Sequence, residues 1–162
     1  MGLVVALALA FIAFIALARV SREQLKRDRM KIERFEDIKA WQEARDLVRL
    51  VYKAIASDKE FAKDFRLANQ LQASAVSTMA NIAEGFSRKS RKEFIQFLFI
   101  SKGSAAEIQS HLYVALDMSY ISQENFEKIY DRADKVSRML SNFIKYLKAR
   151  PTPQRDPRNE PV

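Results

Sequence analysis

The 162-residue chain has no cysteine. That excludes disulfide staples, thiolate metal sites and a cysteine nucleophile, and it suits a reducing compartment. Its four prolines, Pro151, Pro153, Pro157 and Pro161, all fall in the last dozen residues. Nothing between Arg22 and Arg150 therefore removes a backbone donor, and long helices are allowed throughout. Glycine is reduced to Gly2, Gly85 and Gly103, and histidine to His111 alone. A single histidine cannot supply the two Glu-x-x-His motifs that a carboxylate di-metal site in a helical bundle requires, and Glu107 and His111 stand four apart rather than three. No phosphate-binding glycine loop, no nucleophile and no strand-like alternation of useful length can be found. No cofactor, no metal and no enzymatic activity are expected.

What the chain has in excess is positive charge. Its formal net charge is +8 and its isoelectric point about 9.8, a balance that favours nucleic acid or anionic lipid as partner and says nothing about fold. The length suits one domain with a real core.

Three segments differ in composition. Residues 1–34 begin with an apolar run, Gly2 to Ala18, that lacks any charged or polar side chain. As a helix its 17 residues would rise roughly 25 Å, at the short end for a bilayer. Behind it lie Arg19, Arg22, Lys26, Arg27, Arg29, Lys31 and Arg34, a flank that would stay cytoplasmic and could rest on an anionic membrane surface. Two readings stay open: a membrane anchor, or an extension ahead of a true start at Met30. A cleaved signal peptide fits less well, because no basic region precedes the apolar run and Arg19 follows Ala18. The expected location is cytoplasmic, tethered to the inner face of the plasma membrane if residues 2–18 anchor the chain. Residues 151–162, rich in Pro, Arg, Asn and Glu, read as a solvated tail.

Residues 35–150 carry four helical stripes. The first helix follows Asp37 as N-cap, with Trp41, Ala44, Val48, Val51 and Ile55 on one face, and ends near Ser57-Asp58. The second carries Phe65, Ala68, Leu71, Ala75, Met79, Ile82 and Phe86; its small residues invite close approach of a neighbour, and Gly85 offers a left-handed stop. The third starts at Ser90, with Glu93 as capping partner, and carries Phe94, Phe97 or Leu98, Ser101, Ala105, Ile108, Leu112 and Ala115. Gly103 in mid-helix suggests close packing of another helix there, since glycine costs about 1 kcal/mol relative to alanine. The fourth follows Ser122, with Phe126, Ile129, Ala133, Val136, Leu140, Phe143 and Leu147. Spacing near 3.5 residues and short connections predict an all-α, antiparallel, up-down, left-handed four-helix bundle, with the N-terminal apolar helix separate from it.

Several short sequences in this order resemble those of a known family. They are Phe35-Glu36-Asp37-Ile38-Lys39-Ala40-Trp41, Asn81-Ile82-Ala83-Glu84-Gly85 with Arg88, Phe97-Leu98, Gly103-Ser104-Ala105-Ala106-Glu107 and Leu112. The chain resembles the bacterial four-helix-bundle proteins encoded in intervening sequences of large-subunit ribosomal RNA genes, over Phe35 to about Leu147. More distantly it is similar to the accessory variability proteins of diversity-generating retroelements, basic pentameric bundles that bind a reverse transcriptase and nucleic acid. The resemblance implies a bundle that assembles into a ring, a pentamer, and it supplies no catalytic residues. The apolar residues 2–18 depart from the family pattern.

Two groups of residues are candidates for function. Arg88, Lys89, Arg91, Lys92 and Lys102 gather at the second turn and along the start of the third helix. They could bind RNA or DNA through phosphates, meet anionic lipid, or form an ordinary solvated turn. Phe86 and Phe94 flank this run but fall on core stripes. Asn81, Glu84, Gly85, Gly103 and Glu107 lie off the main stripes and are assigned to an interface between copies of the chain. Glu84 is expected to pair with Arg88, and Glu107 with His111, at i,i+4 spacing; Asp131–Lys135 and Asp134–Arg138 are expected on the fourth helix. Acid–base work by Glu84 and Glu107 finds no supporting group nearby in sequence.

Overall fold

The structure, a computed structural model, describes Arg19, residues 32–88 and residues 90–150. The expectations for residues 2–18, Lys89 and residues 151–162, and for most of the Arg19–Arg34 flank, lie outside the described residues. The chain divides into two compact units, Met1–Glu33 and Arg34–Val162. In the second, a 3₁₀ turn at Phe35–Asp37 leads into α1 (Lys39–Ser57), a short α2 (Lys59–Lys63), α3 (Phe65–Ser87), α4 (Arg91–Asp117) and α5 (Gln123–Ala149). Among the described residues there is no strand, and no helix is long and apolar enough to cross a membrane.

Four of the helix starts follow one chemical rule. Asp58, Asp64, Ser90 and Ser122 each accept a hydrogen bond from the backbone N–H three residues on, at Phe61, Leu67, Glu93 and Asn125, satisfying a donor that has no partner inside the helix. The first long helix departs from expectation. Asp37 does not cap it; its carboxylate accepts from the Arg34 N–H at 2.9 Å, and the helix begins beyond Ile38, which makes no side-chain cap bond. Packing decides the entry instead: Ile38 is buried and Phe35 meets Trp41 edge-on at 5.0 Å between ring centres.

Neighbouring helices run against each other, as their paired side chains record. Between α3 and α4, Ser74 donates to Glu107 (2.9 Å), Ser77 and Ser104 share a hydrogen bond (3.0 Å), and Ser101 donates to the Thr78 carbonyl (2.6 Å). As one number rises the other falls. The same holds for Phe99–Lys148 and Tyr113–Tyr130 between α4 and α5, and for Glu43–Lys135 and Asp46–Arg132 between α1 and α5.

The core follows the stripes closely on α4, where Leu98, Ser101, Ala105, Ile108, Leu112 and Ala115 are buried, and on α5. There Ile144 is buried where Phe143 was expected; Phe143 is half-buried and turns its ring to Phe94 at 5.5 Å. On α3 the expectation fails at Phe65, which is 72% exposed. Its place at the base of the bundle is taken by Phe61 of α2, fully buried and stacked on Tyr120 at 5.2 Å. Ser74, Thr78, Ser101 and Ser104 are buried polar residues. Among the described residues, every buried side-chain nitrogen or oxygen has a partner, so the cost of taking these small polar groups out of water is offset by hydrogen bonds.

The two helical glycines behave differently from expectation. Gly85 does not stop α3: neither it nor Gly103 has a positive φ, and the helix continues to Ser87. A Cβ at Gly85 would lie 2.6 Å from the Phe97 Cβ and 2.8 Å from the Phe94 Cδ2. Glycine is therefore demanded by the crossing of α4 over α3. At Gly103 the reverse holds: among the described residues a Cβ would have nothing within 4 Å.

Candidate nucleic-acid interface

The connection from α3 to α4 brings cations to one end of the bundle. Arg88 sits in an extended conformation just past α3. Its guanidinium pairs with Glu84 at 2.5 Å, the expected i,i+4 contact, and lies over the Phe97 ring at 5.0 Å. Arg91 opens α4 and reaches across to the end of α5, donating through Nη1 to the carbonyls of Leu147 (3.5 Å) and Arg150. It thereby meets carbonyls that the last turn of a helix leaves without partners. Lys92 is exposed. Lys102 is half-exposed and lies three turns further along α4, roughly 16 Å from Arg91 by helical rise.

Arg150, just past the end of α5, is not among the candidate residues that the sequence offers. The antiparallel register returns it to the Arg88–Arg91 turn, where Phe86, Arg88, Ser90, Arg91, Phe94, Leu147 and Arg150 line a groove of about 430 Å³. Arg150 also stacks over Tyr146 at 5.0 Å. The signal that could have found it was the pairing of helix lengths: α4 and α5 each have 27 residues, so the start of one lies beside the end of the other.

The five residues assigned to a subunit interface separate in the structure. Gly85 is buried inside the chain between helices. Asn81 donates to the Ser77 carbonyl (2.8 Å) and hydroxyl (2.9 Å), and Glu84 is committed to Arg88. Gly103 and Glu107 are exposed, and Glu107 accepts from Ser74 rather than pairing with His111. On α5, Asp134–Arg138 forms at 2.8 Å, whereas Lys135 turns from Asp131 to Glu43 at 2.7 Å. Among the described residues no three histidine or acidic side chains are grouped to hold a metal ion.

Around Gly103 lies a surface of unusual composition. From Leu67 to Ala83 seventeen consecutive residues carry no charge. The register of α3 on α4 sets Ala73 level with Glu107, Val76 with Gly103 and Ala80 with Ile100. All six are exposed, and Ala106 and Val114 extend the face along α4. Among the described residues Glu107 is the one acidic side chain on it, in a chain of which 30% is charged.

Comparison with known proteins matches this fold and these motifs. The profile of the 23S rRNA-intervening sequence protein family fits residues 36–142, about two thirds of the chain. The chain belongs to that family. A crystal structure of a protein of unknown function from the S23 ribosomal protein family, from Bacteroides thetaiotaomicron VPI-5482, is similar to it: 28% identity, a TM-score of 0.59, 65% of this chain and 98% of that one. No curated protein matches the chain. In this chain the cationic end and the nearly uncharged α3/α4 face are the two surfaces that composition sets apart.

Proposed function

We propose that this chain is a non-enzymatic bundle that associates with copies of itself through the outer face of α3 and α4, and binds nucleic acid through the cationic end. The observation that carries the binding reading is the groove lined by Arg88, Arg91 and Arg150, with no acidic side chain among its described lining residues and Lys92 exposed beside it. Guanidinium groups match phosphate oxygens in pairs. The family's name, which refers to 23S rRNA, makes ribosomal RNA the first nucleic acid to test.

Self-association rests on the uncharged face. Exposed Val76, Ile100 and Val114 around Gly103 form a surface onto which another helix could settle closely. Joining several copies would repeat the cationic end and raise the affinity for one strand without any new kind of contact.

The test is a titration with single-stranded RNA and DNA at several salt concentrations. Engaging the three arginines of one copy predicts a slope of log affinity on log salt near −2, from about −0.7 for each phosphate neutralised on a single strand. Absence of binding at low salt, or binding indifferent to salt, would remove the proposal.

A further inference from the structure

The groove at the cationic end has a feature that a plain phosphate-tracking surface does not need. Beneath its arginine rim lie two phenyl rings and a leucine. Phe86 and Phe94 meet edge-on at 6.1 Å and are both half-buried, and Leu147 closes the space from α5. Its volume, about 430 Å³, falls within the roughly 300–1,000 Å³ typical of small-ligand sites. A surface that only follows a backbone is long and shallow. This one is an open groove between a turn and a helix end, and it holds an apolar floor and a cationic rim in one place.

The rim is held in position before any ligand arrives. Arg88 is fixed by Glu84 on one side and by the Phe97 ring on the other. Arg91 is tied to carbonyls at the end of α5, and Arg150 lies on Tyr146. Each guanidinium carries five N–H donors. Preset cations lose less freedom on binding than mobile ones.

We infer that this groove receives a nucleoside phosphate, with the base against Phe86 and Phe94 and a terminal phosphate among Arg88, Arg91 and Arg150. Charge selects the terminal group. A phosphodiester within a strand bears one negative charge, whereas a phosphate monoester bears about −1.5 to −2 near pH 7 and offers three strong acceptor oxygens. Among the described lining residues there are three guanidiniums and no carboxylate; Glu84, outside the lining, balances only Arg88, so the rim still favours the more highly charged group. The aromatic floor accepts any base, because every base has a face to stack. The phosphorylated end of a strand and a free nucleotide share this chemistry. The inference rests on the reading that nucleic acid is bound at this end of the bundle.

The experiment measures binding of the full-length chain to one short RNA in three forms: 5′-phosphorylated, 3′-phosphorylated, and hydroxyl at both ends. Adenosine monophosphate, inorganic phosphate and a phosphoserine peptide serve as competitors. A phosphorylated end is expected to raise affinity roughly tenfold or more, as charge-assisted hydrogen bonds to a phosphate do. The Arg150→Gln and Arg88→Gln variants should each lose most of that gain. Neither position is buried, so melting curves should stay near that of the parent, and Lys128→Gln, an exposed position at the start of α5, should keep the gain. Competition by adenosine monophosphate but not by inorganic phosphate supports the site and assigns it to the free nucleotide; competition only by the phosphorylated strand assigns it to strand ends. Equal, salt-sensitive binding of all three strands would overturn the inference and leave the nucleic-acid reading standing. Equal competition by the phosphoserine peptide would overturn the nucleoside part. Absence of binding by every strand and nucleotide would remove both.

Discussion

Two glycines on packed helices have opposite surroundings, and substitution distinguishes them. Gly85→Ala would drive a methyl group to 2.6 Å from the Phe97 Cβ, an atom anchored to the α4 backbone that cannot swing away. Overpacking of this kind costs about 1–3 kcal/mol, more than the roughly 1 kcal/mol of helix propensity that alanine returns. A lower melting temperature is the expected result. Gly103→Ala meets nothing within 4 Å, so in the isolated chain it should stabilise α4 by up to about 1 kcal/mol. If another copy settles on Gly103, the same methyl group weakens association while it stabilises the single chain. Melting curves at low and high protein concentration separate the two effects. In the sequence, Gly85 reads as a helix stop, Gly103 as a site of close packing, and both as part of an interface between copies. The sequence could not tell that the approach at Gly85 is made within the chain, because the lateral position of α4 on α3 depends on Phe94, Phe97 and the serines between them.

At the scale of helices, periodicity made most of the bundle legible. The stripes of α4 and α5, their caps at Ser90 and Ser122, and the end of α1 near Asp58 all follow from spacing and side-chain chemistry. The losses come where length or tertiary contact takes over. Five residues are too few for α2 to show a period, so Phe61 was missed as a core residue and Phe65 took its place. Ile38 and Phe35 set the entry to α1 by packing, which propensity cannot weigh. The contact between α1 and α5 was equally hidden: Glu43 bonds both Arg132 (2.8 Å) and Lys135 (2.7 Å), residues far away in the chain. The hydrogen bond from Lys135, with the nearby charges of Arg132 and Lys135, holds the Glu43 carboxyl below its usual range against the opposing effect of burial. A carboxyl whose folded pKa is depressed adds stability that is fully present above its unfolded pKa, about 4.3, and is lost as pH falls through the folded value. Glu43→Gln should therefore cost about 1 kcal/mol at pH 7, in line with partly exposed ion pairs. The difference from the parent should shrink as the pH drops below about 4. Urea unfolding at pH 7 and pH 3 provides the check; a loss of equal size at both would mean that the ion pairs contribute nothing.

For the whole molecule, charge and its absence divide the surface. The long helices α1 and α5 present acidic and basic side chains in cross-linked pairs, while the outer side of α3 and α4 is nearly uncharged and the arginines collect at one end. Composition announced the positive balance but could not place it. Arg150 joins Arg88 and Arg91 only because α5 runs back along α4, and Val76, Gly103 and Ile100 come level only because α3 and α4 run antiparallel. Apolar side chains gathered on one exposed face are the kind of surface through which proteins associate. The account thus stands or falls on self-association through that face. The native mass of the full-length chain, measured by light scattering beside that of Ile100→Glu, tests it most directly. Ile100 is 45% exposed in the single chain, so the substitution should leave the bundle folded. The account predicts a closed assembly of several copies for the parent and a single chain for the variant; a parent that remains a single chain at high concentration, or a variant that assembles equally well, would contradict it.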